Sequence, residues 1–281
     1  MDNKKLKSEN TKLVIAISSR ALFNLDQSHK IFKEKGIEAY AKHQQENEHV
    51  ILEPGVGFTL VKKLLKLNSK KTPIDVILLS RNSADTGLRI FNSIEHYDLN
   101  ISRAAFTRGE STHPFVGAFE ADLFLSSNYN DVQKALQSGY AAASIVESKS
   151  NNSHPSQLRI AFDGDAVIFS DESERIFQEK GLEAFHENEI LSEKIELKAG
   201  PFKSFLVSLQ KIQSTFPEED NPIRTALVTA RSAPSHRRVI HTMRKWGIRI
   251  DESFFLGGLE KGVFLRQFAA DIFFDDQQQH C

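Results

Sequence analysis

Short runs of large apolar and β-branched residues recur along the chain without polar alternation: Leu13 to Ile17, Asp75 to Leu79, Asp122 to Leu125, Leu158 to Phe162, Thr225 to Val228 and Asp271 to Phe274. Such runs suit strands covered on both faces. Between them, Ser28 to Lys42, Ser173 to Phe185, Pro201 to Ser214 and Ser235 to Lys245 carry apolar residues at helical spacing. Strand, polar turn and helix in alternation predict an α/β protein with mainly parallel sheets flanked by helices. The polar, proline-containing stretch Glu147 to Gln157 has no periodicity and predicts a linker near the middle of the chain.

The two sides of that linker repeat each other. HKIFKEKGIEAY from His29 and ERIFQEKGLEAF from Glu174 agree at seven of twelve positions, at an offset of 145 residues. IAIS from Ile15 and IAFD from Ile160 share that offset, and it becomes 149 for VILLSRNSA over TALVTARSA and for ADLFLSSN over ADIFFDDQ. The chain therefore reads as two Rossmann-like units from an internal duplication, residues 12–150 and 151–281. The first continues past Ser126-Ser127 through the helical DVQKALQSG and the apolar AAASIV, whereas the second stops at Cys281. A counterpart helix and strand are missing, so the second unit reads as short at its C-terminus, with an uncovered sheet edge.

Composition narrows the function. The 281 residues carry 36 basic and 37 acidic side chains, a net charge of −1, which excludes a grip on nucleic acid by bulk charge. One cysteine excludes an intrachain disulfide and any cysteine-rich zinc site. The lysine-rich Met1 to Lys12 lacks the apolar segment of a signal peptide, and no apolar run approaches a membrane span, so a soluble cytoplasmic protein is expected. The ten histidines show no paired metal-ligand spacing.

Candidate chemistry lies at the carboxyl ends of strands, where parallel α/β sheets bind ligands. The strand ending at Phe162 runs into Asp163-Gly164-Asp165, like charges side by side with no basic neighbour in sequence, and the strand ending at Phe274 runs into Asp275-Asp276. Three or four carboxylates converging on one point make an oxygen-donor site for Mg²⁺.

DGDAVIF at Asp163, LVTARS at Leu227, Lys261 and FFDD ending at Asp276 together resemble the four motifs of the haloacid dehalogenase-like phosphohydrolases. The longer strings SSRALF, LRIAFDGDAVIFSDESERI, PIRTALVTARSA and IFFDDQ resemble its cytosolic 5′-nucleotidase I branch from Lys12 to Gln277. The resemblance implies Mg²⁺-dependent hydrolysis of nucleoside 5′-monophosphates, AMP above all. It makes Asp163 the nucleophile, Asp165 the acid and then base, Thr229 and Lys261 the phosphoryl-binding groups, and Asp163, Asp165, Asp275 and Asp276 the metal-site carboxylates. A carboxylate nucleophile splits ester hydrolysis into two displacements, and it needs nearby positive charge to approach a phosphate dianion. A like-charged Asp163 is expected to keep Asp165 protonated for part of the cycle. The four motifs leave other phosphomonoesters, such as a sugar phosphate, as alternative substrates, and a non-catalytic nucleotide-binding regulator as an alternative class.

In the first unit Ser18 stands for Asp163, Arg20 for Asp165, Ser80 for Thr229, Thr112 for Lys261 and Ser126-Ser127 for Asp275-Asp276. Without an anionic ligand this unit is expected to be catalytically dead. Ser18 and Arg20, with Arg231 and Ser232 of the second unit, are the candidates for contacting substrate, and Phe23, Tyr97 and Phe106 are the aromatic candidates for the base.

Overall fold

The computed structural model describes residues 12–70, 72–145, 154 and 156–275. The first half runs β1 (Leu13–Ser18), α1 (Ser19–Leu22), α2 (Asp26–Glu46), α3 (Phe58–Lys66), β2 (Ile74–Ser80), α4 (Leu88–His96), β3 (Arg103–Phe106), α5 (Pro114–Ala118), β4 (Leu123–Ser126), α6 (Tyr129–Gln137) and β5 (Ala142–Ser144). The second runs β6 (Leu158–Phe162), α7 (Glu172–Leu191), α8 (Lys203–Gln213), β7 (Ile223–Thr229), α9 (His236–Lys245), β8 (Glu252–Phe255), α10 (Lys261–Phe268) and β9 (Ile272–Phe274). Two sheets result, ordered β3-β2-β1-β4-β5 and β8-β7-β6-β9, and every strand pairing is parallel. Among the described residues the second sheet has no counterpart of β5, so β9 is its edge. No helix among them is long and apolar enough to cross a membrane. The expected linker falls almost wholly outside the described residues.

The apolar runs are continuous because both faces of each central strand are buried. Leu13, Ile15 and Ile17 of β1 and Leu158, Ile160 and Phe162 of β6 face one core. That core also takes Val61 and Leu64 of α3 with Phe205 and Leu209 of α8, so a single apolar cluster joins the halves. Val14 and Ala16 turn to the opposite face, against Val116 and Val132, while Ala161 packs with Phe268.

The helices expected to run unbroken through KEKG are kinked. Gly36 (φ 81, ψ −175) and Gly181 (φ 82, ψ −179) break α2 and α7 at matching positions. A Cβ at either glycine would meet nothing within 4 Å, so backbone conformation rather than space is what demands glycine there.

The match between halves extends to individual hydrogen bonds. Leu52 N donates to Ser93 Oγ (3.0 Å) as Leu197 N does to Thr242 Oγ1 (3.0 Å). Arg89 Nε donates to the Val50 carbonyl (2.8 Å) as Arg238 Nε does to that of Ile195 (2.9 Å). At the amino ends of the sheets, Asp122 Oδ2 accepts from Val14 N (2.9 Å) and Asp271 Oδ2 from Arg159 N (2.8 Å).

The second oxygen of each aspartate reaches across to the other half. Ser208 Oγ of α8 donates to Asp122 Oδ1 (3.0 Å), and Lys63 Nζ of α3 to Asp271 Oδ1 (2.6 Å). Lys63 also donates to the carbonyls of His154 (3.0 Å) and Gln157 (3.1 Å). The Lys63 and Asp271 side chains are only 8% and 15% exposed. Removing one partner of a buried pair strands the other charge, at about 3–5 kcal/mol, against about 1.5–3 kcal/mol for a hydroxyl bond to a carboxylate. Lys63→Met is therefore expected to lower the urea-unfolding free energy by about 4 kcal/mol and Ser208→Ala by about 1.5 kcal/mol; equal losses would contradict this ranking.

Candidate active site

The carboxyl edge of the second sheet gathers charge through strand register. Phe162 of β6 pairs with Phe274 of β9, and Asp163 N continues the ladder to the Phe274 carbonyl (2.8 Å). Asp163 and Asp275 therefore leave adjacent strands side by side. Lys261, the first residue of α10, reaches between them, with Nζ 2.9 Å from Asp163 Oδ2 and 2.7 Å from Asp275 Oδ2. All three side chains are buried.

The two buried carboxylates share the Lys261 ammonium, and Asp163 Oδ1 also accepts from Gly164 N (2.7 Å). Burial, opposed by Lys261 and reinforced by Asp275, pushes the Asp163 carboxyl up to about 7. Lys261 is itself desolvated, but the two carboxylates outweigh that burial and hold its ammonium above the ordinary lysine range. Thr229 ends β7, fully buried, and accepts from Arg231 N at Oγ1 (3.3 Å). A Cβ on Gly164 would lie 3.1 Å from that hydroxyl oxygen, so the glycine of DGD lets Thr229 sit against the turn that carries Asp163.

Asp165 does not join this cluster. The chain turns away through Asp165 (φ −72, ψ 144) and a left-handed Ala166 (φ 59), and the Asp165 carboxylate meets Arg231, which donates from Nε (2.8 Å) and Nη2 (2.7 Å). The expected mutual repulsion of Asp163 and Asp165 is thus replaced by a separate cation for each. Arg231, expected at the substrate, is instead buried, and its remaining Nη1 donates to Glu189 Oε2 (2.6 Å). Glu189 Oε1 accepts from Ser173 Oγ (2.8 Å) and Arg238 Nη1 (2.9 Å). Neither Glu189 nor Arg238 stands in a motif. The sequence signal that could have found Glu189 is that the repeat places the uncharged Gln44 opposite it.

The first half supplies no partner to this cluster through the residues expected to do so. Ser18 Oγ accepts from Ala21 N (3.3 Å) and Ser127 N (3.3 Å), and Arg20 pairs with Asp26 (3.1 Å), all within that half. Ser80 Oγ lies 3.0 Å from Ser19 Oγ, and Ser126 Oγ accepts from Asn128 N (3.0 Å). The edge expected to lack carboxylates does hold one. Asp131 of α6 takes two bonds from Arg81 (2.9 and 2.7 Å) and others from Ser111 and Thr112. Although burial works against its charge, these donors hold Asp131 below the usual carboxylate range.

Ser232 lies on the loop after Arg231, its carbonyl accepting from Ser235 Oγ (2.7 Å). The aromatic candidates serve the first-half core: Phe23 is fully buried against Phe58 and Tyr97, and Phe106 packs on Phe91.

Among the described residues no three His, Cys, Asp or Glu side chains are grouped to hold a metal ion. Asp163 and Asp275 converge, Asp165 points elsewhere, and Asp276 lies outside the described residues. Asp163 and Asp275 present adjacent carboxylates, hard oxygen donors of the kind that a divalent cation takes.

The raised Asp163 value has a thermal consequence. Its folded value lies above the unfolded one near 3.8, so between the two the native state binds more protons and loses stability as pH rises. In chelator-treated protein, Asp163→Asn should raise the melting temperature over wild type by about 2 °C or more at pH 8, and the gain should vanish by pH 4. A gain independent of pH would rule out the ionised carboxylate as its source.

A family model described as 5′-nucleotidase matches residues 5–281. The chain is 40% identical over 282 aligned positions to human cytosolic 5′-nucleotidase 1B, covering 95% of this chain and 46% of that protein. The chain thus spans about half the length of that curated relative. No solved structure matches.

Proposed function

The chain belongs to the 5′-nucleotidase family, in its cytosolic type I branch, and on that premise we propose that its second half hydrolyses nucleoside 5′-monophosphates, AMP in preference, through an aspartyl-phosphate on Asp163. The observation that carries this reading is the convergence of Asp163, Lys261 and Asp275, with Thr229 alongside, at the carboxyl edge of a parallel sheet. We also propose that residues 12–150 and 151–281 are copies of one haloacid dehalogenase-like unit, the first no longer catalytic. Their common strand order and recurring hydrogen bonds support this.

In the first displacement an Asp163 oxygen attacks phosphorus, the bond to the 5′-oxygen breaks, and Asp165 gives that oxygen its proton. In the second, Asp165 takes a proton from water, which attacks the same phosphorus and returns Asp163 as a free carboxylate with inorganic phosphate. Lys261 and Thr229 bind the transferring oxygens. Lys261 is already beside the nucleophile and need only exchange a carboxylate partner for a phosphoryl one. Asp163 and Asp275, with Asp276 as the further candidate, would hold Mg²⁺, which supplies positive charge against the phosphate dianion when bound.

A panel of nucleoside monophosphates, sugar phosphates and aryl phosphates, assayed with Mg²⁺ and with chelator, tests the reading. Turnover selective for AMP and lost with chelator is expected. Sugar-directed turnover would redirect the substrate, and binding without phosphate release would remove the activity. Asp163→Asn should cut turnover by at least about a thousandfold while retaining the fold, because an amide cannot attack phosphorus. Activity above a few per cent would place the nucleophile elsewhere.

A further inference from the structure

We infer that Arg231, within the LVTARS string, and Glu189, outside the four motifs, are positioning residues that set the direction of the Asp165 carboxylate, an inference that rests on the phosphatase reading of Asp165. Arg231 grips both Asp165 oxygens in a fork, a planar and directional contact that fixes the orientation of the carboxylate as well as its place. The guanidinium is itself fixed. Glu189 holds its third nitrogen, the ring of Phe185 lies 5.4 Å from its centre, and the whole side chain is buried. Glu189 is anchored in turn by Ser173 and Arg238, so a continuous chain of hydrogen bonds runs from α7 and α9 to Asp165.

The first half separates this arrangement from what the fold alone requires. At the matching positions Ser28 and Arg89 are retained, and both bond Gln44 Oε1, at 3.5 and 3.2 Å. Arg89 keeps its backbone contact as well. A neutral glutamine, one arginine and the Tyr40 hydroxyl, which accepts from Gln44 Nε2 (3.0 Å) where the second half has Phe185, therefore join these helices without the added charges. Three residues change together where the reacting site is absent: Arg20 for Asp165, Asn82 for Arg231 and Gln44 for Glu189. The added charges occur only in the half that has Asp165 to hold.

The test compares two leaving groups within one first turnover. Adenosine leaving AMP requires a proton, whereas nitrophenolate leaving p-nitrophenyl phosphate does not. With Mg²⁺ in excess, the ratio of adenosine to nitrophenolate release rates is measured for wild type, Asp165→Asn, Glu189→Gln, Arg231→Lys and the Asp165→Asn/Glu189→Gln double variant. Glu189→Gln installs the side chain that the first half already accommodates, and it carries the test if Arg231→Lys does not fold. We expect Glu189→Gln and Arg231→Lys each to lower the ratio about tenfold or more, in the direction of Asp165→Asn. The double variant should fall no further than Asp165→Asn alone. Equal losses on both substrates, or additive losses in the double variant, would mean a merely structural role and overturn the inference. If Asp165→Asn itself leaves the ratio unchanged, or wild type turns over neither substrate, the acid role of Asp165 fails and the inference falls with it. A lowered ratio in Asp165→Asn with an unchanged one in Glu189→Gln sinks the inference alone.

Discussion

The register of β9 against β6 is the constraint on which the candidate site depends. Asp271 sets it at the amino end, where its backbone N–H donates to the Arg159 carbonyl (2.8 Å) while its carboxylate accepts from Arg159 N. Three residues later the Phe274 carbonyl receives Asp163 N, and the next residue, Asp275, stands beside the nucleophile candidate. A slip of one residue would send Asp275 to the opposite face of the sheet and leave Lys261 with one carboxylate. The free oxygen of Asp271 is held by Lys63 from the other half. The half without the reacting carboxylates thus helps to fix the strand that presents one of them.

The carboxyl edges of the two sheets treat a buried carboxylate in opposite ways. Asp131 takes two bonds from the Arg81 guanidinium and others from two hydroxyls, which together hold it ionised against its burial. Asp163 shares one ammonium with Asp275, and burial outweighs that half share. This ion pair ties α6 to the loop after β2. Asp163, whose charge burial opposes, is the carboxylate suited to be drawn into bonding at phosphorus.

How much could be read from the sequence follows from how local each signal is. The central strands were legible because both faces of each are covered, which produces unbroken apolar runs. β3 and β8 were not: RAAF and ESFF are half-buried edge strands with no such run. The kinks at Gly36 and Gly181 were hidden because apolar spacing persists on both sides of the glycine. In the site, Asp163 and Asp275 could be read as strand-end carboxylates because each directly follows an apolar run, whereas Lys261 was singled out only through the family resemblance. The direction of Asp165 could not be read, since it depends on a left-handed residue at Ala166 and on Arg231, 66 residues away.

The two halves also act as internal controls for one another. What recurs is the set of contacts that any such unit needs: the helix-breaking glycines, the Arg89 and Arg238 bonds to backbone, and the aspartates at the amino ends. What differs is concentrated at the carboxyl edge and in the polar chain behind it. The hydrogen bonds of Asp122 and Asp271 that join the halves lie at the amino ends, away from those differences. Because that part of the interface makes no demand on the carboxyl edges, the two edges can carry different polar arrangements without disturbing the contacts there that hold the molecule together.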